Sequence, residues 1–483
     1  MTNIVERIRL ETREYLASLA IADGGRRITY GDLLMSVDEA GAVLKKLGVQ
    51  RGKRVALLCD DSIEYIIMSL AVLQLSAVIV PVPFAASVQE IETVLREMKV
   101  NFLIFELGPY KAAGAKRLKA ARGVERKFWC LERPSAGNPP DEFFRMNPAF
   151  IRFSSGTTGA SKGVVISHEA IVERTDAADK ALHIRHEDAI LWVLSMSFHF
   201  VVSILLFLRR GATIILAGNS FPASLLTAIH EFPPNFIYAA PLHYHLLTRL
   251  DAVPPEALSK VRIAVSTAIT LPRKIAEEFH GKFGFQLSQA YGIIEVGLPF
   301  INQSQAASKQ CSVGKILPDY HIKIRKQDTV GVGEIFLKGP GFFCAYFSPW
   351  KSAKEVCRGG WFNTGDIGRL DARGNLFILG RSKNVINFNG MKIFPAEVEA
   401  VLNQHPLVQE SLVYGVKHPE YGTLPLADIV LRPGGEDRFC VDALRSFCYR
   451  HLAKYKVPKE FHCVLTISKT LSGKVKRTIT DKQ

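Results

Sequence analysis

Short apolar runs rich in β-branched residues alternate along the chain with longer runs whose apolar positions recur at helical spacing. "RVALLC" is followed by "SIEYIIMSLAVLQL" and "AVIVPV", "ATIILA" by "PASLLTAIHEF" and "FIYAA", and "VRIAVS" by "PRKIAEEFHGKFG". Strand, helix, strand in succession predicts largely parallel sheets with helices packed outside them. After about residue 310 the rhythm changes to short strands broken by Gly and Asn, "VGEIFLKG" and "GDIGRLDARGNLFILGR", which predict a β-rich subdomain of hairpins. "RSKNVINFNGMKIFPAEVEAVLNQH" then passes from a polar loop into a helix entered through Pro395, a favourable first-turn residue. Strands and helices alternate again to the end. The fold class is therefore α/β: a large N-terminal domain of parallel-rich sheets with helices plus a β-rich subdomain, residues 1–382, and a small C-terminal α+β domain, residues 383–483, with the boundary near Arg381 to Lys383. No repeat period stands out.

At 483 residues the chain exceeds one ordinary core, and 48% hydrophobic with 22% charged residues is the composition of a globular protein. "AILWVLSMSFHFVVSILLFL", Ala189 to Leu208, has no Lys, Arg, Asp or Glu and is long enough to span a bilayer. It also holds His199, three serines and mid-segment aromatics, so a buried strand and helix are expected, with a membrane span as the weaker alternative. The eight cysteines show no CxxC pair and no metal spacing, which fits free thiols in a reducing compartment. The start, "MTNIVERIRLETREYL", lacks the apolar centre of a signal peptide, and a cytoplasmic protein that is not integral to a membrane is expected. The net charge of +15 suits polyanionic partners. Seven basic residues fall between Lys111 and Lys127 and nine between Arg450 and Lys482, but no nucleic-acid signature accompanies them, so no nucleic-acid partner is expected.

The candidate chemistry begins at "FSSGTTGASKGVVISH", Phe153 to His168. The loop leaves a strand, its glycines permit turns that other residues resist, and exposed N–H groups with the hydroxyls and Lys162 could cradle phosphate oxygens. A Walker loop would need Gly-Lys-Ser/Thr opening into a helix, whereas "GVVIS" reads as a strand. On its own such a segment is more often a plain loop than a phosphate cradle.

With the rest of the chain, the loop resembles the phosphate-binding signature of the adenylate-forming superfamily of acyl-CoA synthetases, aryl-CoA ligases and adenylation domains. Further motifs follow in family order: "ITYGDLL", "SFHF" (Ser197 to Phe200), "QAYGIIEVG" (Gln289 to Gly297), "GEIFLKGPG", "WFNTGDIG" (Trp361 to Gly368), "GRSKNVINFNGMKIFPAEVE" and "LSGKVKR" (Leu471 to Arg477). The resemblance implies that a carboxylate attacks the α-phosphorus of MgATP, releasing pyrophosphate, and that a thiol then displaces AMP from the acyl-adenylate. Two anions must meet, so cations and oriented donors are needed around them.

By the same resemblance, Ser154, Ser155, Gly156, Thr157, Thr158, Gly159 and Lys162 hold phosphates. Glu295 binds Mg²⁺, Tyr291 stacks on adenine, Asp366 and Arg381 hold the ribose, and Lys474 bridges the substrate carboxylate and the α-phosphate. Glu295 and Lys474 are the catalytic pair so implied. Lys383 occupies the hinge about which a mobile C-terminal domain turns between half-reactions. Phe198, His199, Ser266, Thr267, Ala268 and Gly292 line the acid pocket.

Three departures bear on function. Ile294 stands where the family usually has Thr, which removes one hydroxyl contact, worth about 0.5–1.5 kcal/mol. His199 stands where α-amino-acid-activating relatives place Asp, which disfavours α-amino acids, although a satisfied core histidine is the other reading. Thr267 stands where relatives often have Gly, which implies a shorter or displaced substrate channel. A small carboxylic acid and CoA are the expected substrates. A carrier protein's phosphopantetheine is the alternative acceptor, since "NFNG" lacks lysines common in CoA ligases, and a non-catalytic nucleotide- or acyl-binding relative is the third reading.

Overall fold

The computed structural model describes all residues except 1, 109, 120, 135–136, 155–161, 219–220, 305–311, 326–330, 389–390, 419–421, 470–474 and 476–483, and leaves out the side chains of Ser154 and Glu436. The chain divides into two compact units, Met1–His321 with Lys338–Phe362, and Ile322–Leu337 with Asn363–Gln483.

The first unit is built on two nine-stranded sheets. In one, the strands Ser288–Ile293, Ile263–Ser266, Phe236–Ala239, Ala189–Trp192, Thr213–Leu216 and Leu19–Asp23 lie side by side and parallel, with antiparallel strands at both ends. In the other, Pro148–Ser154, Val78–Pro81, Arg54–Leu58 and Phe102–Glu106 form the parallel centre. These central strands read as unbroken apolar runs because helices cover both faces, as for Arg54–Leu58, buried at every position. The helix Ile63–Gln74 is buried at every residue but Gln74, which its all-round apolar sequence requires. The predicted α/β class and parallel-rich sheets are thus observed.

The apolar stretch from Ala189 is broken into strand Ala189–Trp192, helix Met196–His199, a π-helical turn Phe200–Ile204 and helix Leu205–Arg209. Among the described residues no helix is long and apolar enough to cross a membrane, so the strand-and-helix reading holds over the span.

The second unit contains a four-stranded sheet, ordered His321–Arg325, Gly333–Lys338, Phe362–Leu370, Leu376–Arg381. The last two form the predicted hairpin, closed by Asp371, whose carboxylate accepts from the backbone N–H of Arg373 and Asn375 at 2.9 and 2.8 Å. A five-stranded sheet follows, centred on the long hairpin Val408–His418 with Gly422–Leu431. Helices Pro395–Leu402 and Val441–His451 cover it, burying Val398, Leu402, Leu444 and Cys448 against Val413 and Ile429.

Candidate functional site

In the first unit, the sequence-predicted residues sit where parallel strands end. Ser266 and Thr267 close strand Ile263–Ser266, and Tyr291 lies on the neighbouring strand Ser288–Ile293. Phe198 and His199 follow strand Ala189–Trp192 two places along the same sheet. The carboxyl edge of an open α/β sheet is where ligands bind, since helix N-termini and loops converge there.

The phosphate-loop candidate is bracketed by antiparallel strands Pro148–Ser154 and Lys162–Ser167, paired Ser154 to Lys162. Ser155, Gly156, Thr157, Thr158 and Gly159 lie outside the described residues. Lys162 Nζ stands 4.5 Å from the centre of the Tyr346 ring, a cation–π contact. The Tyr346 hydroxyl donates to Glu295 Oε1 at 3.1 Å. Burial, and then the Glu295 charge and hydrogen bond, push the Tyr346 phenol well above its ordinary range, so it remains a donor. Lys162 and Glu295, distant in sequence, are thereby linked through one aromatic ring that sequence reading did not single out.

Glu295 sits in the turn of a tight hairpin between strands Ser288–Ile293 and Gly297–Ile301. A Cβ on Gly292 would stand 2.6 Å from the Gly297 carbonyl oxygen, and Gly297 itself holds φ +106°, so both positions require glycine. The loop is bolted from behind by Arg174, fully buried on helix His168–Leu182. Its Nη1 donates to the Ile294 carbonyl at 3.1 Å and its Nε to the Gly341 carbonyl at 2.9 Å, with Nη2 also bonded to Gly341 O. Burial pulls the guanidinium down to about 10, which leaves it charged at neutral pH. Sequence reading missed Arg174. The signal was its place in the stripe Ile171, Arg174, Thr175, Ala178, where an arginine on a buried helical face needs acceptors.

At the acid-pocket positions, Phe198 and His199 are partly buried on helix Met196–His199, and the His199 carbonyl accepts from Ser203 Oγ within the π-helical turn. Asp61 Oδ1 accepts the Met196 N–H at 2.9 Å and anchors the start of that helix. Ser266 is fully buried, its hydroxyl without a partner among the described residues. The Thr267 N–H donates to the Ala239 carbonyl at 3.0 Å. Ala268 holds φ +74°, and the N–H of Ile269 donates to the Thr267 carbonyl at 3.0 Å, which makes a γ-turn with positive central φ. Such strain in a non-glycine residue clusters at functional sites. Arg152, also missed in the sequence, leaves the strand before the loop with its guanidinium carbon 5.3 Å from the centre of the Phe198 ring.

In the second unit, Asp366 and Arg381 pair across the hairpin. Arg381 Nε lies 2.7 Å from Asp366 Oδ1, and Nη1 donates to the Thr364 carbonyl at 2.9 Å. Asp366 is buried while Arg381 is largely exposed. Lys383 is exposed in the short 3-10 turn Ser382–Asn384, its amine held below the ordinary lysine range by partial burial and then by Arg381. Lys474 lies outside the described residues.

Among the described residues no group of three or more His, Cys, Asp or Glu side chains could hold a metal. A single hard carboxylate at Glu295 nonetheless fits Mg²⁺, which keeps several waters and takes phosphate oxygens in nucleotide sites.

Residues 10–347 match the family model of AMP-binding enzymes, and residues 397–474 that of the AMP-binding enzyme C-terminal domain. Among curated proteins the chain is 28% identical to 4-coumarate–CoA ligase 5 of Oryza sativa subsp. japonica, covering 97% of this chain and 92% of that one. It is 28% identical to a feruloyl-CoA synthase of Amycolatopsis sp., over 94% of each, and 25% identical to a long-chain-fatty-acid–CoA ligase of Mycobacterium tuberculosis, over 95% and 93%. Its fold is shared with ATP-bound MatB from Rhodopseudomonas palustris at a TM-score of 0.84, with 23% identity over 99% and 97% of the two chains. The o-succinylbenzoate–CoA synthetase of Bacillus subtilis aligns at 0.83 with the same identity and coverage. With ordered motifs along the sequence and a family model matched over most of its length, the chain belongs to the AMP-binding enzymes of the adenylate-forming superfamily.

Proposed function

We propose that this protein is an ATP-dependent carboxylate–thiol ligase: it activates a carboxylic acid as the acyl-adenylate with release of pyrophosphate, then transfers the acyl group to the thiol of CoA. The observation that carries the reading is the contact chain from Lys162 through Tyr346 to Glu295, which ties the end of the phosphate-loop candidate to the carboxylate assigned to the metal. The curated relatives are named as ligases of CoA with aryl and long-chain acids, which supports CoA as acceptor and leaves the acid open.

In this reading the first unit supplies the 154–163 loop for the β- and γ-phosphates, Tyr291 for adenine, and Glu295 for Mg²⁺. When bound, the cation neutralises phosphate charge. The second unit supplies Asp366, whose carboxylate accepts from the ribose hydroxyls, Arg381 beside it, and Lys383 as the hinge. Lys474 brings the acid's carboxylate and the α-phosphate together by neutralising both, which is approximation and not proton transfer. Lys474→Ala is therefore expected to cut acid-dependent ATP–pyrophosphate exchange by two or more orders of magnitude, while thioester formation from supplied acyl-adenylate stays within a few-fold, since removal of one preorganised charge costs roughly 10²–10³. Equal loss of both steps would contradict the role given to Lys474.

A further inference from the structure

Arg152 has no part in the chemistry just described, yet it stands among the residues assigned to it. It lies on strand Pro148–Ser154, two residues before the phosphate-loop candidate, with its guanidinium against the Phe198 ring. Among the described residues its guanidinium makes no hydrogen bond and no ion pair. Burial, opposed by the Glu295 charge, brings its pKa to about 10, so it is a cation at neutral pH. Glu295 already accepts from Tyr346 and is the carboxylate assigned to Mg²⁺.

A second donor lies nearby without an acceptor. Tyr65, 1% exposed on helix Ile63–Gln74, has a buried hydroxyl with no hydrogen-bond partner among the described residues. Its phenol is raised well above the ordinary range by burial and stays protonated. The Tyr65 ring is 5.8 Å from that of Phe200, which stacks at 5.9 Å on Phe150, two residues before Arg152 on the same strand. Among the described residues, a cation and a neutral donor without side-chain acceptors thus flank the short segment that carries Phe198 and His199. An unpaired buried donor such as the Tyr65 hydroxyl is costly, and the partly buried Arg152 guanidinium would gain from an oxyanion partner.

We propose that Arg152, set against the Phe198 ring, binds a second anionic group on the carboxylic acid substrate, so that the enzyme selects acids bearing an additional carboxylate or similar oxyanion. The proposal rests on the ligase reading above and names the substrate class of that same site. The planar guanidinium fork matches a carboxylate bidentately, and its carbon stands 5.3 Å from the centre of the Phe198 ring. The contact with Phe198, a residue of the acid pocket, favours the acid over the nucleotide as the anion bound. A cationic substrate group here would meet repulsion, in line with the absence of Asp at position 199.

The test is ATP–pyrophosphate exchange by the purified protein with pairs of acids of equal length, each dicarboxylic acid against its monomethyl ester, in aliphatic and aryl series. The wild type is expected to favour the diacid in kcat/KM by about 10- to 100-fold, the range of a charge-assisted contact. Arg152→Met should lose that preference through the KM for the acid and not that for ATP, and Arg152→Lys should keep part of it. A wild type that adenylates the ester as well as the diacid overturns the proposal and leaves the ligase reading standing, and that comparison decides even if the variants do not fold. A rise in the KM for ATP with an unchanged acid preference overturns it too. No exchange with any acid overturns both.

Discussion

Ala268 holds the left-handed backbone of a γ-turn beside two pocket-wall residues, Ser266 and Thr267. An L side chain in that conformation costs roughly 1–2 kcal/mol, while a glycine there would add about 0.4–1 kcal/mol of unfolded-state entropy. Ala268→Gly is thus expected to stabilise the protein by up to about 1 kcal/mol, read as a higher urea midpoint at unchanged m-value. Tyr346 acts at the other end of the site. Tyr346→Phe keeps the ring under Lys162 but removes the donor to Glu295 Oε1. Loss of one hydrogen bond to a charged group, about 1.5–3 kcal/mol, should lower kcat/KM for pyrophosphate exchange by roughly 10- to 100-fold and shift the Mg²⁺ concentration that half-activates it. An unshifted Mg²⁺ titration would separate Tyr346 from the carboxylate's function.

The hairpin carrying Glu295 owes its shape to elements far away in sequence. Arg174, on helix His168–Leu182, satisfies the carbonyls of Ile294 and Gly341 at separations of 120 and 167 residues. Arg174→Met would leave both acceptors buried without a donor, at about 1–3 kcal/mol each, partly offset by no longer burying a cation. A net loss of roughly 2–4 kcal/mol in urea unfolding is expected, together with weaker exchange. A variant as stable as the wild type would mean that the loop is held by other contacts. This element also marks the boundary of what the sequence disclosed. Strands, the 362–381 hairpin and the helix entered at Pro395 follow from periodicity and turn chemistry, which are local. The pairing of Asp366 with Arg381 follows from that hairpin's register. The roles of Arg174 and Arg152, and the Tyr346 ring between Lys162 and Glu295, depend on long-range packing, for which a single sequence gives only the hint of a cation on an apolar face. The turn at Ala268 was hidden because no glycine or asparagine announces it.

Over the whole chain, part of the +15 charge is spent internally. In the first basic cluster Arg126 reaches Glu106 at 3.1 Å and Glu64 at 3.7 Å, and Arg122 reaches Asp32 at 3.5 Å. In the reading proposed above, Lys162 and Arg152 in the first unit, together with Arg381 and Lys474, are the cations given to the anionic substrates. Adenylation needs cations in such positions because ATP and a carboxylate repel one another until their charges are screened. The loss of one hydroxyl at Ile294 is small on this scale, about 0.5–1.5 kcal/mol against a barrier lowered by several times that. The most direct measurement is ATP–pyrophosphate exchange by the purified protein across aliphatic, aryl, dicarboxylic and amino acids, with and without Mg²⁺. The expected result is exchange that requires both a carboxylic acid and Mg²⁺ and is absent with α-amino acids; no acid-dependent exchange with any member of the panel would contradict the assignment of this chain as a carboxylate-activating ligase.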